Sequence, residues 1–241
     1  RMPTLLTVLS FVAVAIGGAV EIIPTMVVKS NVPTIASVTP YTALELEGRD
    51  LYIREGCNAC HTQMIRPFRD EVKRYGEYSK PGEYVYHHPF LWGSQRSGPD
   101  LHRQGGRNPD AWHYKHMWDP RDTSPGSIMP RYPWLITNKL DRSLTKAKLE
   151  TLVKLGVPYS EEDFDSMTVA MDRQALAIEK NIFDADVMLK ERYEREAQEK
   201  GEDFVPLRDR EITALIAYLQ RLGTDISTEQ TQTTSIIGAG N

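Results

Sequence analysis

The chain has 241 residues, of which 40% are hydrophobic and 26% are charged, and its formal net charge is −4. This length allows one or two domains with a sizeable core, and the composition is that of an ordinary soluble protein once the first segment is set aside. The mild negative charge gives no basis for a nucleic-acid partner, and two cysteines are too few for a disulfide framework.

The first predicted element is a membrane-spanning helix. Residues Leu5 to Val28 are mainly apolar, interrupted by Glu21 and Pro24, and about 20 such residues cross a bilayer core. A secretory signal peptide is the alternative, but the apolar run is too long for its hydrophobic region and no clear A-x-A cleavage site follows. We therefore expect an anchor over residues 1–29. Glu21 should lie near the outer interface or against another helix, because a carboxylate facing lipid is costly.

A linker and a helix come next. Residues 30–40 combine Pro33 and Pro40 with Ser, Thr and Asn, which predicts an extended linker. The segment from Tyr41 to Glu55 repeats residues at spacings of three and four, which predicts a helix that leads directly to Cys57.

The motif Cys57-Asn58-Ala59-Cys60-His61 is the C-x-x-C-H sequence typical of covalent c-type haem attachment. Each thiol can add to one vinyl group of the porphyrin, and His61 then reaches the iron as the proximal ligand. Three alternatives are weaker: structural zinc wants four ligands, a redox pair expects a βαβ pattern, and a disulfide between such close cysteines would be strained. Zinc would need His61 and one of five further histidines, which are His87, His88, His102, His113 and His116.

A second amphipathic helix is predicted from Asp209 to Gly223, with an apolar face at three- and four-residue spacing. Together with the haem motif, this helix resembles class I cytochrome c. In that family the first and last helices cross near the haem through a small residue and an aromatic residue four positions apart. Four residues match this pattern, two on each helix: Gly48, Tyr52, Leu215 and Tyr218.

The resemblance implies that a methionine from a later loop completes the iron. Met129 is favoured, because the run Gly126 to Pro130 is an irregular loop and a Met-Pro pair is the usual family setting for this ligand. Met117 or a histidine stays open as the alternative. Met64 is too close to His61 to reach the opposite face of the iron. Three further methionines fall in a helical pattern and are expected in the core: Met167, Met171 and Met188.

The same resemblance implies second-sphere roles. The Gly98-Pro99-Asp100-Leu101 run places Pro99 where the family has a carbonyl that accepts a hydrogen bond from the proximal histidine. Such a bond fixes the ring and raises its basicity. Arg66 is a candidate partner of the haem propionates, with Arg96 and Arg103 as further candidates, because guanidinium groups pair bidentately with carboxylates.

A more specific resemblance covers about two-thirds of the chain. With one preceding membrane helix, the chain is similar to the monohaem subunit (subunit II, the O subunit) of cbb3-type cytochrome c oxidase. Six runs carry the match: Gln63 to Arg69, His88 to Ser94, Arg96 to Leu101, Gly105 to Arg107, Met129 to Leu135 and Leu155 to Tyr159. The chain departs from the family between Ser160 and Arg208, where an apolar stripe from Phe164 to Tyr193 predicts one or two inserted helices. Whether this domain or a neighbouring subunit buries that stripe stays open.

This resemblance implies a mainly α chain: one N-terminal transmembrane helix and a class I cytochrome c domain with a helical insertion. It also implies one covalent haem c. Electrons would come from a soluble or tethered cytochrome c or from a dihaem cytochrome c subunit, and would go to haem b of a haem–copper membrane subunit that reduces oxygen. The chain itself would be a non-catalytic electron-transfer subunit, held by membrane lipid at a bacterial inner membrane. Its cytochrome domain would be periplasmic, since haem c is attached on that side.

Two other functions stay open at this point: the membrane-anchored monohaem subunit of a nitric oxide reductase, and a zinc-stabilised, membrane-tethered interaction module. The expected division of the chain is an anchor (1–29), a linker (30–40), a cytochrome domain (41–224, with the insertion at 160–208) and a polar tail (225–241). Because the numbering begins at Arg1, a fused or removed upstream segment also stays open.

Overall fold

The computed structural model describes residues 2–28, 33–93 and 95–226. Within these ranges the chain is mainly helical and has no β-strand, only an isolated bridge between Lys139 and Arg210, so the predicted fold class is confirmed. The α-helices are α1 (Met2–Val27), α2 (Ala43–Arg54), α3 (Cys57–Cys60), α4 (Arg69–Tyr75), α5 (Asp110–Trp118), α6 (Pro120–Thr123), α7 (Pro133–Thr137), α8 (Thr145–Lys154), α9 (Glu161–Asp165), α10 (Met167–Ala185), α11 (Val187–Lys200) and α12 (Glu211–Arg221). Three short 3₁₀ helices cover Pro81–Tyr84, Gly201–Asp203 and Leu207–Asp209.

The helix α1 is long and apolar enough to cross a membrane. Its stretch from Met2 to Thr25 has a mean hydropathy of 2.2, and at 1.5 Å per residue its 26 residues extend about 39 Å. Its large apolar side chains are exposed in the chain alone, so they need lipid or another protein as cover.

The core of the domain is the crossing of α2 and α12. A capping box begins α2, in which the Thr42 hydroxyl accepts from the Glu45 amide and the Glu45 carboxylate accepts from the Thr42 amide. Gly48 lies at the crossing, where a Cβ would come within 1.9 Å of the Ala214 carbonyl oxygen. The rings of Tyr52 and Tyr218 pack beside it with their centroids 5.4 Å apart. The predicted helix crossing at Gly48 is thereby confirmed.

The predicted insertion folds as α9, α10 and α11. Most of its apolar stripe is buried against α2, α5 and α12, so this domain itself supplies the cover. Met171 is 2% exposed, as expected for a core residue, but Met188 is 80% exposed and its expected core position was wrong. The helix breaks at Asp186, whose side chain caps α11 by accepting from the Leu189 amide. Leu189 then faces the core, and Met188, about 100° round the helix from it, faces outward.

The described part of the linker lies against the domain. Val38 is buried, the Thr39 carbonyl and hydroxyl oxygens accept from Arg221, and the Ile35 side chain packs on Gly82. Ile226, at the last described position, is 4% exposed. Residues 29–32 of the predicted anchor and linker, and 227–241 of the predicted tail, lie outside the described residues.

Candidate haem site

A cavity of about 1030 Å³ lies between the C-x-x-C-H segment, α5 and the loop that follows α6. Ligand pockets usually measure about 300–1,000 Å³, so this cavity is large enough for a group of porphyrin size. Its walls include residues that the sequence singled out, namely Cys57, Cys60, His61, Pro99, Met117 and Met129, together with Tyr52, Leu101, Leu215 and Leu219.

The two cysteines reach the cavity from the single turn of α3. Gly56 precedes this turn with φ +70°, a left-handed conformation that glycine adopts without strain. Both thiols are free, and Cys60 is the more exposed. Burial raises the pKa of the Cys57 thiol to about 12. Both sulfurs are therefore available at one wall of the cavity.

His61 is oriented by its neighbours. Its Nδ1 lies 2.9 Å from the Pro99 carbonyl oxygen, and its own carbonyl accepts from the Tyr52 hydroxyl at 2.9 Å. Burial lowers the pKa of His61 below its ordinary value, which favours the neutral imidazole. In that form Nδ1–H donates to Pro99, and Nε2 keeps a lone pair for a metal.

Gly98 makes this arrangement possible. A Cβ at position 98 would lie 2.4 Å from Cε1 of His61 and within 2.9 Å of both ring nitrogens. The Gly98 amide also donates to the Cys60 carbonyl at 3.1 Å. The segment before Pro99 therefore fits closely against the imidazole only because it has no side chain there.

Both candidate methionines also belong to the cavity wall. Met129 follows a turn in which Gly126 has φ +83° and the Ser127 amide donates to the Ser124 carbonyl. Met117 is buried on α5, and its carbonyl accepts from the Tyr132 amide at 2.9 Å. Both side chains line the cavity, so the structure brings the favoured ligand and its alternative to the same place.

The predicted propionate arginines lie elsewhere. Arg66 pairs with Glu71, Arg96 with Glu71 and Asp100, and Arg103 with Glu83, and none of the three lines the cavity. Two arginines that the sequence analysis did not single out do line it: Arg74 at the end of α4, and Arg107, whose guanidinium donates to the Tyr75 carbonyl at 2.7 Å.

Two histidines of α5 also line the cavity. His113 is 2% exposed, and its Nε2 is buried without a hydrogen-bond partner among the described residues. His116 stacks on Trp112 at 4.5 Å, and its Nδ1 lies 2.6 Å from the Thr123 hydroxyl. Burial lowers the pKa of each to about 4, so both are neutral. From the sequence they are candidate zinc ligands and belong to the histidines left open as an alternative to Met129, but a histidine on a helix gives no sign of the wall that it will line.

These residues fit a haem. The cavity has the volume, two thiols at the attachment spacing, an imidazole with a free nitrogen, thioether sulfurs and two guanidinium groups for carboxylates. The unpartnered Nε2 of His113 is a further polar atom left for a bound group to satisfy. Within the described ranges, no three His, Cys, Asp or Glu side chains are grouped so that they could hold a metal ion by themselves.

Comparison with known protein families gives a match. A family described as "Cytochrome C oxidase, mono-heme subunit/FixO" matches residues 1–226 of the chain. No curated protein matches it. The family match covers the membrane helix, the cavity and the insertion together.

Proposed function

Since the chain belongs to the FixO family of mono-haem cytochrome c oxidase subunits, we propose that it is the electron-transfer subunit of a cbb3-type terminal oxidase. It accepts electrons from a soluble or tethered cytochrome c, or from a dihaem cytochrome c subunit, and passes them to haem b of the catalytic haem–copper subunit. Oxygen is reduced to water in that other subunit. The observation that carries the proposal is the convergence of Cys57, Cys60, His61 and Met129 on one cavity of sufficient volume.

The bound haem c supplies a reversible one-electron couple. Cys57 and Cys60 would hold it through their sulfurs, and His61 and Met129 would ligate its iron. The hydrogen bond from His61 to Pro99 keeps the imidazole in one tautomer and orientation. With an imidazole and a thioether both assigned to the iron, the group would serve as an electron relay and not as an oxygen-binding site.

The propionate role moves, in this proposal, from Arg66 to Arg74 and Arg107. Arg66 is already paired with Glu71, whereas the other two guanidinium groups face the cavity. A guanidinium group facing a cavity can pair with a carboxylate of its occupant without first breaking a salt bridge.

The helix α1 anchors the subunit as a single pass of a bacterial inner membrane, with the cytochrome domain on the periplasmic side. This orientation follows from the side on which haem c is attached. The family match favours neither the nitric oxide reductase subunit nor the zinc module.

The proposal is tested on the oxidase complex purified through a tag on this chain. We expect a c-type α band that stays with this polypeptide after denaturation, and oxygen consumption with reduced cytochrome c. A chain without bound haem would overturn the assignment. So would a complex that turns over nitric oxide and not oxygen.

A further inference from the structure

Two aromatic side chains stand exposed and stacked beside the domain's first 3₁₀ helix, Pro81–Tyr84. Phe90 and Trp92 are 52% and 46% exposed, their ring centroids are 4.4 Å apart and their planes differ by 2°. Leu91 between them is 3% exposed, and this alternation places both rings on the same side of the extended segment. Together they form one flat apolar surface.

The segment that carries this surface is fixed by hydrogen bonds to its backbone and by a ring contact beneath the two aromatic side chains. Arg49, itself 3% exposed, donates to the carbonyl oxygens of His88, at 2.9 Å, and Pro89. The Tyr84 ring meets Phe90 and Trp92 edge-on, with centroid distances of 6.4 and 5.2 Å. The two rings are therefore fixed before any partner arrives, which reduces the entropy lost on binding.

The surface lies next to the tether that leads to the membrane. On the same 3₁₀ helix, a Cβ at Gly82 would lie 2.8 Å from Ile35 Cγ1 and 3.1 Å from the Pro33 carbonyl oxygen. The chain from Val28 to Pro33 spans at most about 17 Å, and a headgroup layer is about 5–7 Å thick. The aromatic pair therefore lies near the point where the tether joins the domain, and the tether keeps that point within reach of proteins embedded in the same membrane.

We propose that Phe90 and Trp92 form the docking surface by which this domain seats on a membrane-embedded protein subunit of the same oxidase. This inference rests on the proposed function, which supplies such a partner. Rigid aromatic anchors at a protein contact are the residues that carry most of its binding energy.

A protein suits this surface better than lipid does. The run from His87 to Gly93 contains no Lys or Arg, the residues that attract anionic headgroups. Phe90 has no polar atom to place at headgroup level, where Trp and Tyr are enriched. A pocket on a protein removes both rings from water.

The position of this docking surface also matters for electron transfer. Gly93 follows the pair directly, and a Cβ there would lie 3.0 Å from Thr62 Cγ2 and 3.9 Å from the Asn58 carbonyl oxygen. A partner docked on the pair is therefore adjacent to the haem attachment segment.

The first test is photo-cross-linking in membranes, with a benzophenone amino acid at position 90 of the full chain. We expect an adduct with another polypeptide of the complex, at least ten-fold above that from the same probe at Met188, an exposed position on α11. Adducts with lipid alone would overturn the proposal in favour of a membrane-binding surface. An adduct no stronger than that at position 188 would also overturn it.

The second test removes both aromatic rings of the docking surface. In the variant with Phe90→Ser and Trp92→Ser, we expect at least ten-fold less of the other subunits to co-purify, with the c-type spectrum and membrane retention of this chain unchanged. The matched control is Val187→Ser with Met188→Ser, two apolar residues 61% and 80% exposed. Full co-purification and oxygen consumption by the aromatic variant would overturn the docking surface alone. Failure of the unmodified chain to co-purify with any oxidase subunit would instead overturn the proposed function.

Discussion

At the scale of single residues, the thioether that Met129, or alternatively Met117, offers to the iron decides the electronic character of the site. A thioether ligand raises the reduction potential, and axial ligands as a class set haem potentials over about 0.8 V. We expect Met129→Leu to abolish the weak sulfur–iron band of the oxidised protein and to lower the potential by about 0.1 V or more.

Two variants control this experiment. Met188→Leu changes a methionine that is 80% exposed and should leave the band and the potential unchanged. Met117→Leu changes the other thioether at the cavity wall. Loss of the band in Met117→Leu, together with its survival in Met129→Leu, would transfer the ligand assignment to Met117.

Glu83 gives a prediction about pH. Burial alone would raise the pKa of this carboxyl, but hydrogen bonds from His102 and from both terminal nitrogens of Arg103 outweigh burial and bring the pKa down to about 2 from an ordinary value of 4.5. A pKa lowered by folding contributes stability that is present above the unfolded value and is lost as pH falls through the folded value. The window of loss therefore runs from about pH 4.5 down to about pH 2.

We expect the free energy of unfolding of the haem-loaded chain to fall through this window more steeply than that of Glu83→Gln, by on the order of 2 kcal/mol in total. Unfolding followed by circular dichroism at several pH values measures the difference. Glu161→Gln, at an exposed position on α9, should keep the steep profile of the unmodified chain. Parallel profiles for Glu83→Gln and the unmodified chain would contradict the prediction.

The arginines show where residue-level prediction ends. A motif such as C-x-x-C-H prescribes its own chemistry, because spacing along one helical turn sets which atoms can meet one porphyrin. Nothing equivalent marks a propionate arginine. Glu71 pairs with both Arg66 and Arg96, whereas Arg107 reaches the cavity through a loop conformation in which Gly106 has φ +71°. Which guanidinium is already paired depends on tertiary contacts that the sequence does not display.

At the scale of elements, the crossing of α2 and α12 holds the domain together. Gly48→Ala would place a Cβ 1.9 Å from the Ala214 carbonyl oxygen and 2.8 Å from Tyr218 Cβ, and backbone cannot move aside as a flexible side chain can. Overpacking of this kind costs about 1–3 kcal/mol or more. We expect a loss of unfolding free energy at the upper end of this range, measured by chemical denaturation of the haem-loaded chain.

The control for the crossing is Ala185→Val, which adds side-chain volume at an exposed position of α10. It should change stability by less than about 0.5 kcal/mol, as surface substitutions usually do. A Gly48→Ala variant as stable as this control would mean that the two helices can separate without cost.

Helix periodicity predicted α2, α12 and the insertion but not the break inside the insertion. The apolar stripe continues at three- and four-residue spacing past Ala185, so the sequence favours one helix as much as two. Asp186 can cap a new helix, yet an Asp between two helical runs is equally compatible with a solvated surface position. Only the observed bond from the Leu189 amide decides between them, and the exposure of Met188 follows from it.

At the scale of the whole molecule, the helix α1 is long and apolar enough to cross a membrane. It is followed by a helical domain, against which the connecting segment lies from Pro33 onward. The family and the mainly helical fold could be predicted from the sequence, because they follow from motifs and periodicity. The seating of the linker on Gly82 could not, since proline-rich segments give no signal of the surface that they will contact.

A short tether makes docking of the domain an intramolecular event. The effective concentration of the domain at its docking site falls roughly as the −3/2 power of tether length. Inserting twelve Gly and Ser residues between Ser30 and Asn31 lengthens the stretch between Val28 and Pro33 about threefold, so we expect electron delivery from the domain to the next centre to slow by about sixfold at most. Stopped-flow absorbance on the purified complex measures this rate.

The same insertion after Gln232, beyond the family-matched region, should leave the rate unchanged. The c-type spectrum should be the same in both variants, since neither insertion touches the cavity. An unaltered rate in the first variant would mean that the tether does not position the domain. A complete loss of delivery would mean that the domain has no docking affinity of its own, contrary to the role assigned to Phe90 and Trp92.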